Sequence, residues 1–130
     1  MDKKEIIRTS NAPAAIGPYS QAVRAGDLVF ISGQLGIDPE IGKLVPGGVL
    51  KEAEQALKNL ESIVKAAGGT MESLVKTTVL LDDLENFAEV NGVYGSYFGD
   101  IYPARACYEV SKLPANGKIE IEAVAYIALK

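Results

Sequence analysis

Residues 102–110 have the sequence YPARACYEV, and residues 119–127 have the sequence IEIEAVAYI. In both runs apolar and polar residues alternate with a period of two, and residue types that favour strands dominate. Pro103 lies at the leading edge of the first run, where a strand tolerates proline. Both runs are therefore predicted to be strands, and the connection at residues 112–118 could return the second strand as an antiparallel neighbour of the first.

The chemistry of these two strands depends on which side chains share a face. The alternation places Arg105, Cys107 and Glu109 on one face of the first strand, and Glu120 and Glu122 together on one face of the second. A guanidinium, a thiol and a carboxylate in one patch of sheet would suit chemistry on an anion. The alternative, which the residues alone favour, is a surface Arg–Glu pair between strands beside a buried structural cysteine.

Composition limits the kinds of catalysis that are open to the chain. Its 130 residues fit a single domain that spans residues 1–130. It has no histidine and one cysteine, which excludes ordinary zinc sites and catalysis by a Ser-His-Asp or Cys-His arrangement. Any catalysis has to use carboxylates, Arg, Lys, Tyr, hydroxyls, the thiol, backbone groups and water, so activity that does not depend on a metal is expected.

Charge and the first residues of the chain indicate a location and exclude some partners. The net charge of −4 and the scattered lysines argue against binding to nucleic acid, which needs clustered Lys and Arg. The segment MDKKE at residues 1–5 is charged and precedes no apolar run long enough for a signal peptide or a membrane span. A single cysteine fits a reducing compartment. A cytoplasmic protein without membrane contacts is therefore predicted.

The remaining sequence supplies two helices and four further strands. The predicted elements, in chain order, are a strand at 5–9, an irregular loop at 12–21, hairpin strands at 21–24 and 28–32, an exposed loop at 37–48, a helix at 49–67, a strand at 74–81, and a helix that begins after Asp82-Asp83 and passes through Phe87, Asn91, Tyr94 and Phe98. This order predicts an α+β fold, with a mixed six-stranded sheet and two helices on one face. The other face, which bears Val23, Phe30 or their alternates, would be exposed in a monomer and therefore predicts an oligomer.

Four residues outside the two strands are candidates for a ligand site, each with a structural alternative. Ile16 and Tyr19 lie in a loop stiffened by prolines and either form a ligand wall or cover the core. Gly33 either lets a ligand approach the backbone or marks a bulge, which is the commoner case. Asn91 lies on a stripe with aromatic residues and either bonds neighbouring backbone or reaches a pocket.

Several motifs in one order resemble the RidA family, also called YjgF, the reactive-intermediate (enamine/imine) deaminases. The motifs are NAPAAIGPYSQA at 11–22, ISGQ at 31–34, VKTTV at 75–79, PARAC at 103–107, and LP at 113–114 followed by IEIEA at 119–123. The resemblance covers almost the whole chain. It implies a chorismate-mutase-like α+β fold that assembles as a homotrimer, with three ligand clefts between subunits.

The resemblance also implies an activity and a set of site residues. The activity is hydrolysis of 2-imino acids such as 2-iminobutanoate and 2-iminopropanoate to 2-oxo acids and ammonia, without metal or organic cofactor. Arg105 would hold the substrate carboxylate and Glu120 would orient the attacking water. The cleft would be lined by Tyr19, Ser32, Gly33, Asn91 and Cys107, with Ile16 near its mouth. The segment between Phe98 and Pro103 looks shorter than in some members, which affects the rim of the cleft.

Two other functions are compatible with the same residues. One is a regulatory protein that binds oxo or imino acids without turnover. The other is an RNA-directed activity, against which the acidic net charge counts. Glu120 separates catalysis from binding, because a carboxylate binder has little reason to place an acid beside an anionic ligand. Whether Glu120 or Glu122 faces the cleft stays open from the sequence, and Cys107 is interpreted as lining the cleft, not as a covalent nucleophile.

Overall fold

A computed structural model describes residues 4–129 of the chain as a sheet with helices packed on one side. The elements are β1 Glu5–Ile7, β2 Ala22–Ala25, β3 Leu28–Leu35, β4 Ile37–Asp38, β5 Lys43–Leu44, α1 Val49–Ala66, β6 Leu74–Leu81, α2 Phe87–Gly95, β7 Ala104–Glu109 and β8 Ile119–Tyr126. Six of these strands form the main sheet, in the order β1-β2-β3-β8-β6-β7. Among the described residues only β6 and β7 pair in parallel within this sheet, so the predicted mixed six-stranded α+β sheet is confirmed.

The two strands with which the sequence analysis began are not neighbours, because β6 lies between them. β6 and β7 are parallel and are joined through α2, as parallel neighbours require a crossover connection. The 112–118 connection then carries the chain past β6, so that β8 pairs antiparallel with β6 on one side and β3 on the other. The antiparallel pairing of β7 with β8, which the sequence left open as one possibility, is therefore not formed.

The core lies between the sheet and the two helices. The inward stripe of α1 is fully buried and includes Ala53, Leu57, Leu60 and Val64. The opposite face of the sheet carries no helix, and its residue Phe30 is 47% exposed. The prediction that two helices leave one sheet face uncovered is therefore confirmed. No helix within residues 4–129 is long and apolar enough to cross a bilayer.

The β2–β3 hairpin and its continuation depend on two glycines. Gly26 has a φ of +62° in the turn, the conformation predicted for the tight hairpin. The pairing of β3 with β8 shifts register between Ile31 and Gln34. Gly33 therefore marks a bulge inside a strand that continues to Leu35, and it does not end the strand.

Two predicted elements differ from those observed. Helix α2 ends at Gly95, and Phe98 lies beyond it with its ring 5.0 Å from the ring of Tyr94. The predicted loop at 37–48 contains the short antiparallel ribbon β4–β5. Sequence periodicity could not detect this ribbon, because each of its strands has two residues.

Candidate active site

Arg105 lies on the edge strand β7 with its side chain on the helix side of the sheet. Its Nη1 donates a hydrogen bond to the side-chain oxygen of Asn91 on α2 at 2.7 Å. Its guanidinium carbon lies 4.9 Å from the ring centroid of Tyr94 and 5.3 Å from that of Phe87. None of the ion pairs between residues 4 and 129 includes Arg105. The guanidinium is exposed and is held by neutral groups, without a carboxylate partner among residues 4–129.

Cys107 follows Arg105 on the same face of β7 and is half-buried. Burial raises the pKa of the Cys107 thiol, and the positive charge of Arg105 opposes that rise only in part. A thiol with a raised pKa is a weaker nucleophile at neutral pH. The position is consistent with a residue that lines a cleft.

Glu109, the third acidic or basic group on this face, does not pair with Arg105. Its Oε1 accepts a hydrogen bond from the backbone N–H of Leu84 at 2.9 Å, in the turn before α2. The Arg–Glu pair between strands that the residues alone favoured is absent from residues 4–129, because β6 separates the strand of Arg105 from the strand of Glu120 and Glu122.

Glu120 belongs to a second group of residues, on the face of β8 that the helices leave open. A cavity of about 720 Å³ opens there between the 12–21 loop and the end of the sheet. Besides Glu120, the cavity is lined by predicted site residues from the loop and the bulge: Ile16, Tyr19, Ser32 and Gly33. A Cβ on Gly33 would lie 2.6 Å from Oε2 of Glu120, so a side chain at position 33 would displace this carboxylate from its observed position.

Glu120 is half-buried, whereas Glu122 on the same face is exposed. Burial raises the pKa of Glu120, and the negative charge of Glu122 raises it further. Both residues line the cavity. Glu120 is thus the carboxyl group whose surroundings bring its pKa closer to neutrality, as a group that takes up and releases a proton requires.

Hydrogen bonds fix the loop that carries Ile16 and Tyr19. The Ser32 hydroxyl donates to the carbonyl of Ser20 at 2.6 Å. The buried side chain of Gln21 donates to the carbonyl of Pro13 at 2.8 Å and accepts from the N–H of Thr9 at 2.8 Å. The role of Gln21 was not predicted, because nothing in the sequence marks a glutamine as an anchor for a distant backbone.

Within one chain the two groups of site residues lie on opposite faces of the sheet. The β6 residue paired with Arg105 is Thr77, and the β6 residue paired with Glu120 is Leu80. Residues three apart on a strand point to opposite faces. The structure therefore brings Asn91 and Cys107 to Arg105, and it brings the loop and bulge residues to Glu120, but it does not join the two groups in one chain.

Sequence reasoning also missed the role of the aromatic residues around Arg105. The sequence predicts Phe87 and Tyr94 on a helical stripe with Asn91 but indicates no function for the two rings. Their spacing of seven residues, with Asn91 between them, was the available signal. The residue that the stripe meets could not be identified, because Arg105 comes from another element.

Comparisons with known proteins give one consistent result. The sequence profile of the family described as endoribonuclease L-PSP matches residues 9–127. A relative from Mus musculus named 2-iminobutanoate/2-iminopropanoate deaminase is 56% identical, over 94% of this chain and 90% of the relative. The crystal structure of RidA from an Antarctic Psychrobacter is 47% identical with a TM-score of 0.92, over 95% of this chain and 99% of that one. Escherichia coli TdcF with bound serine is 42% identical with a TM-score of 0.91, over 95% and 99%.

Proposed function

The chain belongs to the RidA (YjgF) family, described as endoribonuclease L-PSP, and from this premise we propose that it hydrolyses 2-imino acids to 2-oxo acids and ammonia. The proposed substrates are small, such as 2-iminobutanoate and 2-iminopropanoate, the compounds in the name of the mouse relative. The observation that carries the proposal is the pair of complementary half-sites. One presents an unneutralised guanidinium, and the other presents a half-buried carboxyl group inside a cavity.

The two half-sites become one cleft when a neighbouring subunit supplies the missing face. The proposed assembly is a homotrimer of chorismate-mutase-like subunits, in which the open sheet faces meet and each cleft lies between two subunits. Exposed apolar side chains support this assembly. Ile16, at the mouth of the Glu120 cavity, is 88% exposed in the single chain, and Phe30 and Tyr126 on the open face are about half exposed.

Arg105 binds the carboxylate of the substrate. Asn91 occupies the Nη1 end of the guanidinium, so the remaining N–H groups can donate to both oxygens of an incoming carboxylate. A planar fork matches a planar carboxylate, and this fixes the orientation of the imine carbon next to it. The half-buried thiol of Cys107, on the same face, packs beside the substrate without forming a bond to it.

Glu120 acts as the general base and then as the general acid of the hydrolysis. The ionised carboxylate accepts a proton from water as the water oxygen bonds to the iminium carbon, which gives a neutral amino group on a tetrahedral carbon. The protonated Glu120 then returns the proton to that nitrogen. As the C–N bond breaks with its electron pair on nitrogen, the ionised Glu120 takes the proton of the hydroxyl group and passes it to the departing ammonia, so that a 2-oxo acid and ammonium leave. Because this carboxyl alternates between base and acid, a raised pKa suits both steps.

The proposal is tested by measuring turnover of an imine generated in the assay. An amino-acid oxidase produces 2-iminobutanoate from 2-aminobutanoate, and release of 2-oxobutanoate and ammonia is followed with and without the protein. We expect accelerated release that persists in chelator, and loss of about thirtyfold to several-thousandfold in kcat/KM for Arg105→Ala, a change of about 2 to 5 kcal/mol. Arg105→Lys keeps the charge without the fork and restores only part of the activity.

Glu120→Gln provides the matched comparison, because it retains the size of the side chain and removes the proton-transfer group. We expect it to bind 2-oxobutanoate like the wild type while kcat falls. Binding of 2-oxobutanoate without any acceleration of release would instead support the regulatory function. Wild-type kinetics in folded Arg105→Ala protein would contradict the site assignment.

A further inference from the structure

Helix α2 presents two aromatic rings and one amide along a single side. Phe87, Asn91 and Tyr94 are spaced at i, i+4 and i+7, so they line one face of the helix. Residues seven apart are separated by about 10 Å along a helix axis. Asn91 lies between the two rings on this stripe.

The guanidinium of Arg105 spans this stripe. Its central carbon lies 4.9 Å from the Tyr94 ring centroid and 5.3 Å from the Phe87 centroid, about half of the axial separation from each. It donates a hydrogen bond of 2.7 Å to Asn91, which lies in the middle of the stripe. The guanidinium therefore lies between the two rings, at distances at which a ring face attracts a cation.

One of the two rings is anchored in the core. Tyr94 is 4% exposed, and its hydroxyl forms a hydrogen bond of 2.7 Å with the hydroxyl of Thr77, which is fully buried. Thr77 is also the β6 residue that pairs with Arg105 in the sheet. Thr77 therefore connects the Tyr94 ring, through the hydrogen bond, to the strand that carries Arg105, through the strand pairing. Phe87, at the start of the helix, is 37% exposed and bounds the other side.

We propose that Phe87 and Tyr94 are positioning residues, which hold the plane of the Arg105 guanidinium so that its free N–H groups face the substrate carboxylate. This inference rests on the proposed function of Arg105. A carboxylate partner would also fix the guanidinium, but it would occupy the donors and neutralise the charge. Ring faces attract the cation and accept none of its in-plane N–H groups. The nearest acidic residue on the strand, Glu109, bonds the Leu84 backbone instead.

Phe87→Leu tests the inference, because leucine keeps an apolar side chain and lacks the ring face. We expect KM for 2-iminobutanoate and the dissociation constant for 2-oxobutanoate each to rise about three- to tenfold, with kcat unchanged, because the carboxylate anchor acts equally in the ground state and the transition state. Phe87→Tyr keeps the ring and should restore both values. Tyr97→Leu is the matched control: this ring lies just beyond α2 and its hydroxyl contacts the Glu54 carbonyl, away from Arg105.

A double-mutant cycle separates an effect on Arg105 from a direct contact with the substrate. In the Arg105→Ala background, Phe87→Leu should leave kcat/KM unchanged, because no guanidinium remains to be positioned. An equal loss in both backgrounds, or unchanged binding of 2-oxobutanoate by Phe87→Leu, would overturn the inference and leave the role of Arg105 intact. Wild-type kinetics for Arg105→Ala alone would instead contradict the proposed function.

Discussion

At the scale of single residues, the acidic pair on β8 shows how position assigns different roles to identical side chains. Glu120 and Glu122 share a face, so alternation could not separate them. The structure separates them by burial and by the space that Gly33 leaves beside the Glu120 carboxylate. That space depends on a bulge in β3, the neighbouring strand of β8, which is far from β8 in the sequence. No local sequence signal contains this information.

Glu122 is expected to shift the acidic limit of the reaction. Burial raises the pKa of Glu120, the negative charge of Glu122 raises it further, and the attack of water needs Glu120 ionised. Removing the charge in Glu122→Gln lowers the pKa of Glu120, so the acidic limb of the kcat/KM profile should move to lower pH. Burial of Glu120 is unchanged, so the limb should stay above the ordinary range for glutamate. Glu72→Gln, at an exposed position in the turn before β6, should leave the limb in place; an unmoved limb in Glu122→Gln would contradict the role of Glu122.

At the scale of elements, sequence patterns predicted long elements well and their partners less well. The α1 stripe and the apolar β6 were recognisable because each repeats its pattern over many residues. The position of β8 between β3 and β6 was not predictable, because it depends on the crossover through α2. A buried amide on α1 donates to the carbonyl of Ile37 in the β4–β5 ribbon and to that of Leu35 just before it, and these contacts have no signature in the ribbon's own sequence.

Asn59 is the residue that holds this part of the cavity rim. It is fully buried, and its side-chain nitrogen donates to the carbonyls of Leu35 at 3.1 Å and Ile37 at 2.9 Å. Asn59→Ala leaves both carbonyls without this donor, so we expect the free energy of unfolding to fall by about 1 to 3 kcal/mol. Denaturant titration measures this change. Lys58→Ala, at the neighbouring exposed position, should change stability by less than about 0.5 kcal/mol, and an equal effect of the two variants would contradict this role.

At the scale of the whole molecule, the arrangement of the sheet explains why one chain does not complete the site. The sequence predicted the uncovered face from a count of helices, and it predicted Arg105 and Glu120 individually. A shared patch of sheet within one chain would have required β7 and β8 to be neighbours, which the sequence left open. The inserted β6 and the three-residue offset in its pairing put the two side chains on opposite faces. In the proposed assembly, a neighbouring subunit brings its guanidinium to this carboxyl group.

Mixed assemblies test this shared site directly. Arg105→Ala and Glu120→Gln chains are each expected to form inactive trimers, but a cleft that takes Arg105 from one chain and Glu120 from the other is intact. Every mixed trimer contains one such intact cleft out of three. Random mixing of equal amounts of the two chains gives mixed trimers about three times in four. Co-refolding the two chains should therefore recover about a quarter of wild-type activity. Light scattering before and after mixing checks that the assemblies are trimers. No recovery in mixed trimers would show that both residues act within one chain, and a stable monomer at micromolar concentration would contradict the assembly itself.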